Sequence, residues 1–380
     1  MNLYLTADKV GIETGGGLVT SQEYQALQSL GPCELWDHDS LRNPPGWSHT
    51  EDEPWIRDQM ARQQLICHSG TEYKICHVYA GSFPWAVSDL KKRGCKVTYT
   101  AAAHSVAASK KAHEDLGLPY DYPHLTDSAL LQRYLGGYLS ADVLICPSQH
   151  SAAVMRGFGA KNRIEVIPHG VRLPEKVAPL PERFTVGALG AIGGPDKGLR
   201  YLLEAWKRLD YKDATLALGG SHSQTPWVQQ LVQRFFEPTD WWASYSMLGN
   251  QGAQKCPTAT RPSGAQVRLL GWVDKVSDFY NGISLLVQPS VSEGFGLEVL
   301  EAMAHGRAVL CSTGAGAADV VPKPGLCDPC NSGALANHIA YYHDRLEALA
   351  TVGTSNQKEA TAYTWDRIRA RYVDVWRSLL

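Results

Sequence analysis

No apolar run in the chain approaches the ~18 residues needed to cross a bilayer, so a membrane-spanning anchor is not expected. The N-terminus, Met1-Asn2-Leu3-Tyr4-Leu5-Thr6-Ala7, lacks the basic segment and long apolar core of a secretory leader. Excess charge is lacking too. The formal net charge is −2, which gives no basis for stable nucleic-acid binding. Nor is there a disulfide framework: nine cysteines are an odd number, scattered through a long chain, and suit the reduced thiols of a cytoplasmic protein. Cys327 and Cys330 form one C-x-x-C without a second pair, which argues against a zinc site. H-E-x-x-H, a Ser-His-Asp order and a full G-x-G-x-x-G are all missing, and with them the motifs of zinc hydrolases, serine hydrolases and dinucleotide oxidoreductases.

What is present is an ordinary globular composition, 44% hydrophobic and 19% charged. A chain of 380 residues implies two domains. Eleven tryptophans, among them Trp241-Trp242, leave peripheral membrane contact or an acceptor surface open. Strand-like runs at Asn2–Ala7, Lys74–Tyr79, Lys96–Ala101, Asp142–Cys146 and Arg163–Ile167 alternate with helical stretches. That alternation predicts a parallel sheet covered on both faces. Leu173 to Pro181 reads as a linker, after which a second series begins. Its strands are expected at Phe184–Leu189, Ala214–Leu218, Gln266–Leu270, Ile283–Val287 and Ala308–Ser312, with a long polar insertion at about 237–265 and one helix over Ser332–Ala350. The expected organisation is therefore α/β, with two doubly wound, Rossmann-like domains over 1–172 and 182–361. A helix over 362–380 is expected to pack back on the first domain. Two such halves predict a ligand at the carboxyl ends of the sheets, in a cleft between them.

The chemistry concentrates in Val287 to Gly306. A buried strand ends at Pro289-Ser290, and a helix begins near Leu297. Gly294 and Gly296 lie at that helix start, where unpaired backbone N–H groups and the helix dipole favour an anion. Glu293 and Glu301 bracket the junction with seven residues between them. Each carboxylate also has an ordinary reading, Glu293 as a helix-end charge and Glu301 as a solvent-facing side chain. Lys197, in Gly194-Pro195-Asp196-Lys197-Gly198, stands at another strand-to-helix turn. A cation gains nothing from a helix start, so its position favours contact with a ligand anion. His104 follows a strand, where either a ligand-binding or a satisfied, partly buried histidine fits; His77 and His169 are weaker candidates of the same kind. Gly15-Gly16-Gly17 follows the first strand.

In order along the chain these residues resemble the family 4 glycosyltransferases, which have the GT-B fold. Ser292-Glu293-Gly294-Phe295-Gly296-Leu297 through Leu300-Glu301-Ala302-Met303 is similar to that family's two-glutamate signature. Ala141–Ser148, Ile164–Val171, Asp196-Lys197-Gly198, Val267–Val273 and Tyr363-Thr364-Trp365 resemble further family segments, with His169 in a usual asparagine position. The resemblance implies a retaining transferase that moves a hexose from a UDP- or GDP-sugar to a hydroxyl acceptor, with no required metal or other cofactor. It implies that Glu293 meets the donor sugar and Glu301 the ribose hydroxyls. Gly294, Phe295, Gly296 and Leu297 would cradle sugar and phosphates, and Lys197 would neutralise the leaving diphosphate. Gly15, Gly16 and Gly17 would close on the phosphate, and His104 would contact the transferred sugar.

One departure stands out. The family carries an arginine about five residues before the turn lysine, and Gly190-Ala191-Ile192-Gly193 occupies that region here. Arg200, another lysine or backbone N–H groups are the candidates to replace it. A non-catalytic nucleotide-sugar-binding protein and a sugar phosphorylase or synthase are the competing readings. The acceptor (a glycan, lipid-linked sugar, metabolite or modified nucleobase) is not legible, although Asp37–Pro54, Leu118–His124 and the insertion are the loops expected to meet it.

Overall fold

The computed structural model describes the chain except residues 7–9, 11–14, 38, 42–52, 80–82, 104, 121–126, 222, 239–257 and 261–265. His104, Trp241-Trp242 and most of the insertion thus lie outside the described residues. Contacts divide the chain into two units. The first comprises Met1–His104, Asp121–Gly170 and Trp365–Leu380; the second comprises Ser105–Tyr120 and Val171–Thr364. The helix Val106–Leu116, within the expected first domain by position, therefore packs with the second unit.

In the first unit, strands β1 (Asn2–Thr6), β2 (Cys33–Trp36), β3 (Ile75–Tyr79), β4 (Lys96–Thr100), β5 (Val143–Cys146) and β6 (Arg163–Val166) pair in parallel, in the order β2-β1-β3-β4-β5-β6. Alternate residues face opposite sides. Leu3, Leu5, Cys76, Val78, Val97 and Tyr99 enter an apolar core with Ala61, Leu65, Val87, Leu90 and Leu135 from the covering helices. The other side is polar and buried. Tyr4, Thr100 and Tyr372 donate to the Glu23 carboxylate at 2.8, 2.8 and 2.7 Å, and His77 Nε2 lies 3.1 Å from it. Burial alone raises the Glu23 carboxyl pKa. His77 and the Tyr372 and Tyr4 hydroxyls override that and hold it below the usual carboxylate range. Glu23 sits on the helix Gly15–Gln28 and Tyr372 on the helix Trp365–Arg377, so the network fastens the C-terminal helix to this unit.

In the second unit, β7 (Thr185–Leu189), β8 (Thr215–Gly219), β9 (Glu237–Pro238), β10 (Thr258–Thr260), β11 (Gln266–Gly271), β12 (Leu285–Gln288), β13 (Ala308–Ser312) and β14 (Leu326–Cys327) form one sheet, ordered β14-β13-β12-β7-β8-β11-β10-β9. Pairing is parallel except at β10, which runs antiparallel to β11 and β9. Both faces are covered: Leu285, Val287, Ala308 and Leu310 enter one core, and Leu286, Val309 and Cys311 the other. The chain leaves β7 for β8 on one side and returns as β12 on the other. The carboxyl ends of β7 and β12 are therefore the switch point of the sheet, where open α/β sheets bind ligands.

Within the insertion, Glu237–Pro238 and Thr258–Thr260 form β9 and β10 of the sheet. One expectation is corrected. The helix expected over Ser332–Ala350 is two helices, Ser332–His343 and Leu346–Ala360, because Arg345 leaves helical geometry at φ −138°.

Candidate active site

The loops leaving β7 and β12 are locked together. Gly198 has φ +71°, and a Cβ there would overlap the Pro289 carbonyl oxygen. The Val291 N–H donates to the Asp196 carbonyl at 2.7 Å. Only glycine permits both the left-handed backbone and this approach. Gly198→Ala is expected to destabilise the protein by about 3 kcal/mol, read by denaturant unfolding; a loss below ~1 kcal/mol would show that the turn yields easily.

The β12 loop is braced from behind. Glu293 and Ala315 form a parallel bridge, with the Glu293 N–H donating to the Gly314 carbonyl and the Gly316 N–H to the Glu293 carbonyl, both at 3.0 Å. The Ala317 N–H donates to the Phe295 carbonyl at 2.7 Å. The Phe295 ring is buried in the core, so only its backbone can meet a ligand. Gly296, at φ +100°, starts the helix Leu297–Ala304.

Upon this frame the structure brings together Lys197 and Glu293. The Lys197 ammonium donates to Glu293 Oε2, and both side chains are about four-fifths buried, with 24% and 20% exposed. Glu301, one of the two bracketing carboxylates, is not solvent-facing. It accepts from the Tyr280 hydroxyl at 2.6 Å, and its carboxyl is pushed up to about 7 by burial, against the Tyr280 hydrogen bond and with help from the Glu298 charge. The other charges expected nearby are spent elsewhere. The Arg200 guanidinium donates to Glu204 and to the Asp115 carbonyl, so it does not replace the family's clamp arginine at Glu293. His77 serves the Glu23 network, and His169 is buried, its pKa lowered to about 4 by desolvation. Cys327 is buried and Cys330 exposed, and no metal-holding group of histidines, cysteines or carboxylates occurs among the described residues.

Sequence reasoning missed Glu298 and Gln288. The Gln288 amide donates to Glu298 Oε1, and burial raises the Glu298 carboxyl pKa although the Lys197 charge opposes this. A signal was available: Glu298 and Glu301 are three residues apart and share a helix face. Also missed was a surface cavity of about 390 Å³ lined by Leu270, Trp272, Val273, Lys275, Asp278 and Phe279. It opens beyond the carboxyl end of β11, and Trp272 is 53% exposed there.

Glu301 also makes a stability prediction. Its folded pKa of about 7 lies above the ordinary 4.5, so the folded state holds the proton more tightly and stability falls as pH rises from 4.5 through 7. Glu301→Gln is expected to raise Tm by about 5 °C at pH 8 and by nothing measurable at pH 4.5. An equal gain at both pH values would refute the titration.

Comparison with known proteins decides the family. Residues 183–344 match the family described as "Glycosyl transferases group 1", and residues 37–174 match "Glycosyltransferase Family 4". The chain belongs to the family 4 glycosyltransferases. This glycosyltransferase chain is 30% identical over 118 residues to O-antigen chain mannosyltransferase B of Escherichia coli, 30% of either chain. It is 28% identical over 111 residues to D-inositol 3-phosphate glycosyltransferase of Streptomyces coelicolor, 28% of this chain and 24% of the other. The matches thus span less than a third of those relatives' length. The fold is GT-B. Sucrose-phosphate synthase from Thermosynechococcus elongatus superposes with a TM-score of 0.74 at 19% identity, covering 100% of this chain and 98% of that one. Anabaena HepE, solved with UDP and glucose, gives 0.65 at 17% identity, with full coverage of both. No helix of the described residues is long and apolar enough to cross a membrane.

Proposed function

We propose that the protein is a retaining glycosyltransferase that transfers a hexose from a nucleoside-diphosphate sugar to a hydroxyl acceptor. The observation that carries this reading is the Lys197–Glu293 pair at the β7–β12 switch point, beside the start of the helix Leu297–Ala304. A helix start and a lysine suit a diphosphate, and a partly buried carboxylate suits a sugar hydroxyl. Lys197 neutralises the leaving diphosphate, where charge develops as the glycosidic bond breaks. Glu293 orients the sugar, and the acceptor attacks on the face the diphosphate leaves. Glu301 accepts from the ribose hydroxyls as the carboxylate, the form that such donors stabilise. Trp272 and the neighbouring cavity offer the nucleobase a stacking surface. The names of similar proteins, solved with UDP or acting on sugars, support this class. The roles of Gly15, Gly16, Gly17 and His104 rest on family resemblance alone.

The test is a panel of UDP- and GDP-sugars offered with hydroxyl acceptors, read by nucleotide release and by NMR of the product anomer. Release of nucleoside diphosphate with retained configuration supports the reading. Binding of a nucleotide sugar without release, across the acceptor panel, supports a non-catalytic binding protein, the reading that the absent clamp arginine favours.

A further inference from the structure

The switch point contains a carboxylate that the proposed chemistry does not use. Glu298 stands in the first turn of the helix Leu297–Ala304, where backbone N–H groups await an anion. Its carboxylate accepts from the Gln288 amide, lies beside its own backbone N–H and feels the Lys197 charge. Gln288 also packs against Gly296, with its Nε2 3.3 Å from where a Cβ would stand, and Glu298 Oε1 is 3.6 Å from the equivalent point on Gly190. The side chain is thereby aimed at the junction of the two loops rather than outward. Gly190 opens the segment from which the clamp arginine is absent, so Lys197 is the cation this loop sets against it.

We propose that Glu298 is an internal anion in the diphosphate seat, a positioning residue that stands at the helix start and draws on Lys197 until the donor's phosphates displace it. The inference rests on the proposed donor site. A diphosphate entering this seat meets a like charge when Glu298 is ionised and none when it is protonated. Donor affinity is therefore limited by Glu298, and the limit relaxes as pH falls. Among the described residues its ionisable neighbours include Lys197 from the turn (itself paired with Glu293), Glu301 on its own helix, Tyr280 from the helix Val276–Asn281 and Cys311 from β13. Burial raises Tyr280 and Cys311 well above their usual values, so neither titrates between pH 5.5 and 8. Glu301 does titrate there and must be held constant.

The test is calorimetric binding of UDP and GDP to the wild-type chain, Glu298→Gln and Glu298→Ala, at pH 5.5 and 8, repeated in a Glu301→Gln background. Ionisation of the free nucleotide cancels in the ratio of affinities at each pH, and UDP-glucose, whose diphosphate does not titrate in this range, is bound alongside so that the pH trend belongs to the protein. The expected result is a nucleotide bound about tenfold more tightly by Glu298→Gln than by wild type at pH 8, with a smaller ratio at pH 5.5 than at pH 8 in both backgrounds. Glu298→Ala separates charge from the Gln288 hydrogen bond and should change affinity in the same direction. Equal or weaker binding by both variants, with unfolding midpoints retained, overturns the inference and leaves the donor site standing. Failure of the wild-type chain to bind either nucleotide overturns both.

Discussion

Replacing Lys197 with alanine is expected to lower kcat/KM for sugar transfer by about 10²–10³-fold. Lys197 is the cation that meets Glu293 at the switch point, and Arg200 is already engaged by Glu204 and the Asp115 carbonyl. In the proposed mechanism, with no arginine at the family's position, the Lys197 ammonium neutralises the leaving group. Charge on the diphosphate grows as the glycosidic bond breaks, so most of the loss should fall on kcat rather than KM. Stability should change little, by about 1 kcal/mol, because the pair is partly solvated. Lys197→Arg tests geometry: the bulkier guanidinium retains charge but must fit beside Gly198, which is pressed against Pro289. Wild-type turnover in purified Lys197→Ala would remove Lys197 from the mechanism.

Glu293→Gln is expected to reduce kcat by about 10²-fold, while affinity for the free nucleoside diphosphate stays within about threefold. The argument is positional. Glu293 is held by backbone bonds on both sides to Gly314 and Gly316, so its side chain presents at one fixed place, next to Lys197. A group placed for the sugar affects transfer and not nucleotide binding. The isosteric amide keeps the brace and gives up the charge, so unfolding should change by no more than about 1 kcal/mol. Loss of nucleotide affinity in proportion to kcat would instead make Glu293 a phosphate- or nucleotide-positioning residue.

Much of this was legible in the sequence because local pattern and fold agree. β12, β13 and the helix Leu297–Ala304 have short apolar runs punctuated by Pro289, Gly294 and Gly296, and the structure follows them closely. Other elements were hidden by specific residues. The helix Glu53–Cys67 buries Asp58, Ala61 and Leu65 at helical spacing, but its stripe includes an aspartate. Asp58 is there to accept from the Trp85 and Ala86 N–H groups at the start of the next helix, at 3.0 and 2.9 Å. β2 is an edge strand with one buried residue in four, and β14 is an edge strand of two residues, so neither shows an apolar run. The helix break at Arg345 has no glycine or proline to announce it.

The site divided in the same way. The two glutamates and the turn lysine were visible as a motif. That Glu301 rests on Tyr280, 21 residues away, was not, because the contact joins separate helices. Glu298 was visible as a letter but not as a buried charge, since its environment comes from Gln288, Lys197 and Gly190 together. Glycine-rich turns announce where backbones approach. The electrostatic consequences of that approach depend on side chains distant in the sequence.

The most direct test of the central claim is a crystal structure with bound nucleoside diphosphate. The account predicts phosphate oxygens against Lys197 and the backbone at Gly296 to Glu298, with the ribose hydroxyls on Glu301. A nucleotide bound away from the β7–β12 switch point, with Lys197 still paired to Glu293, would contradict it.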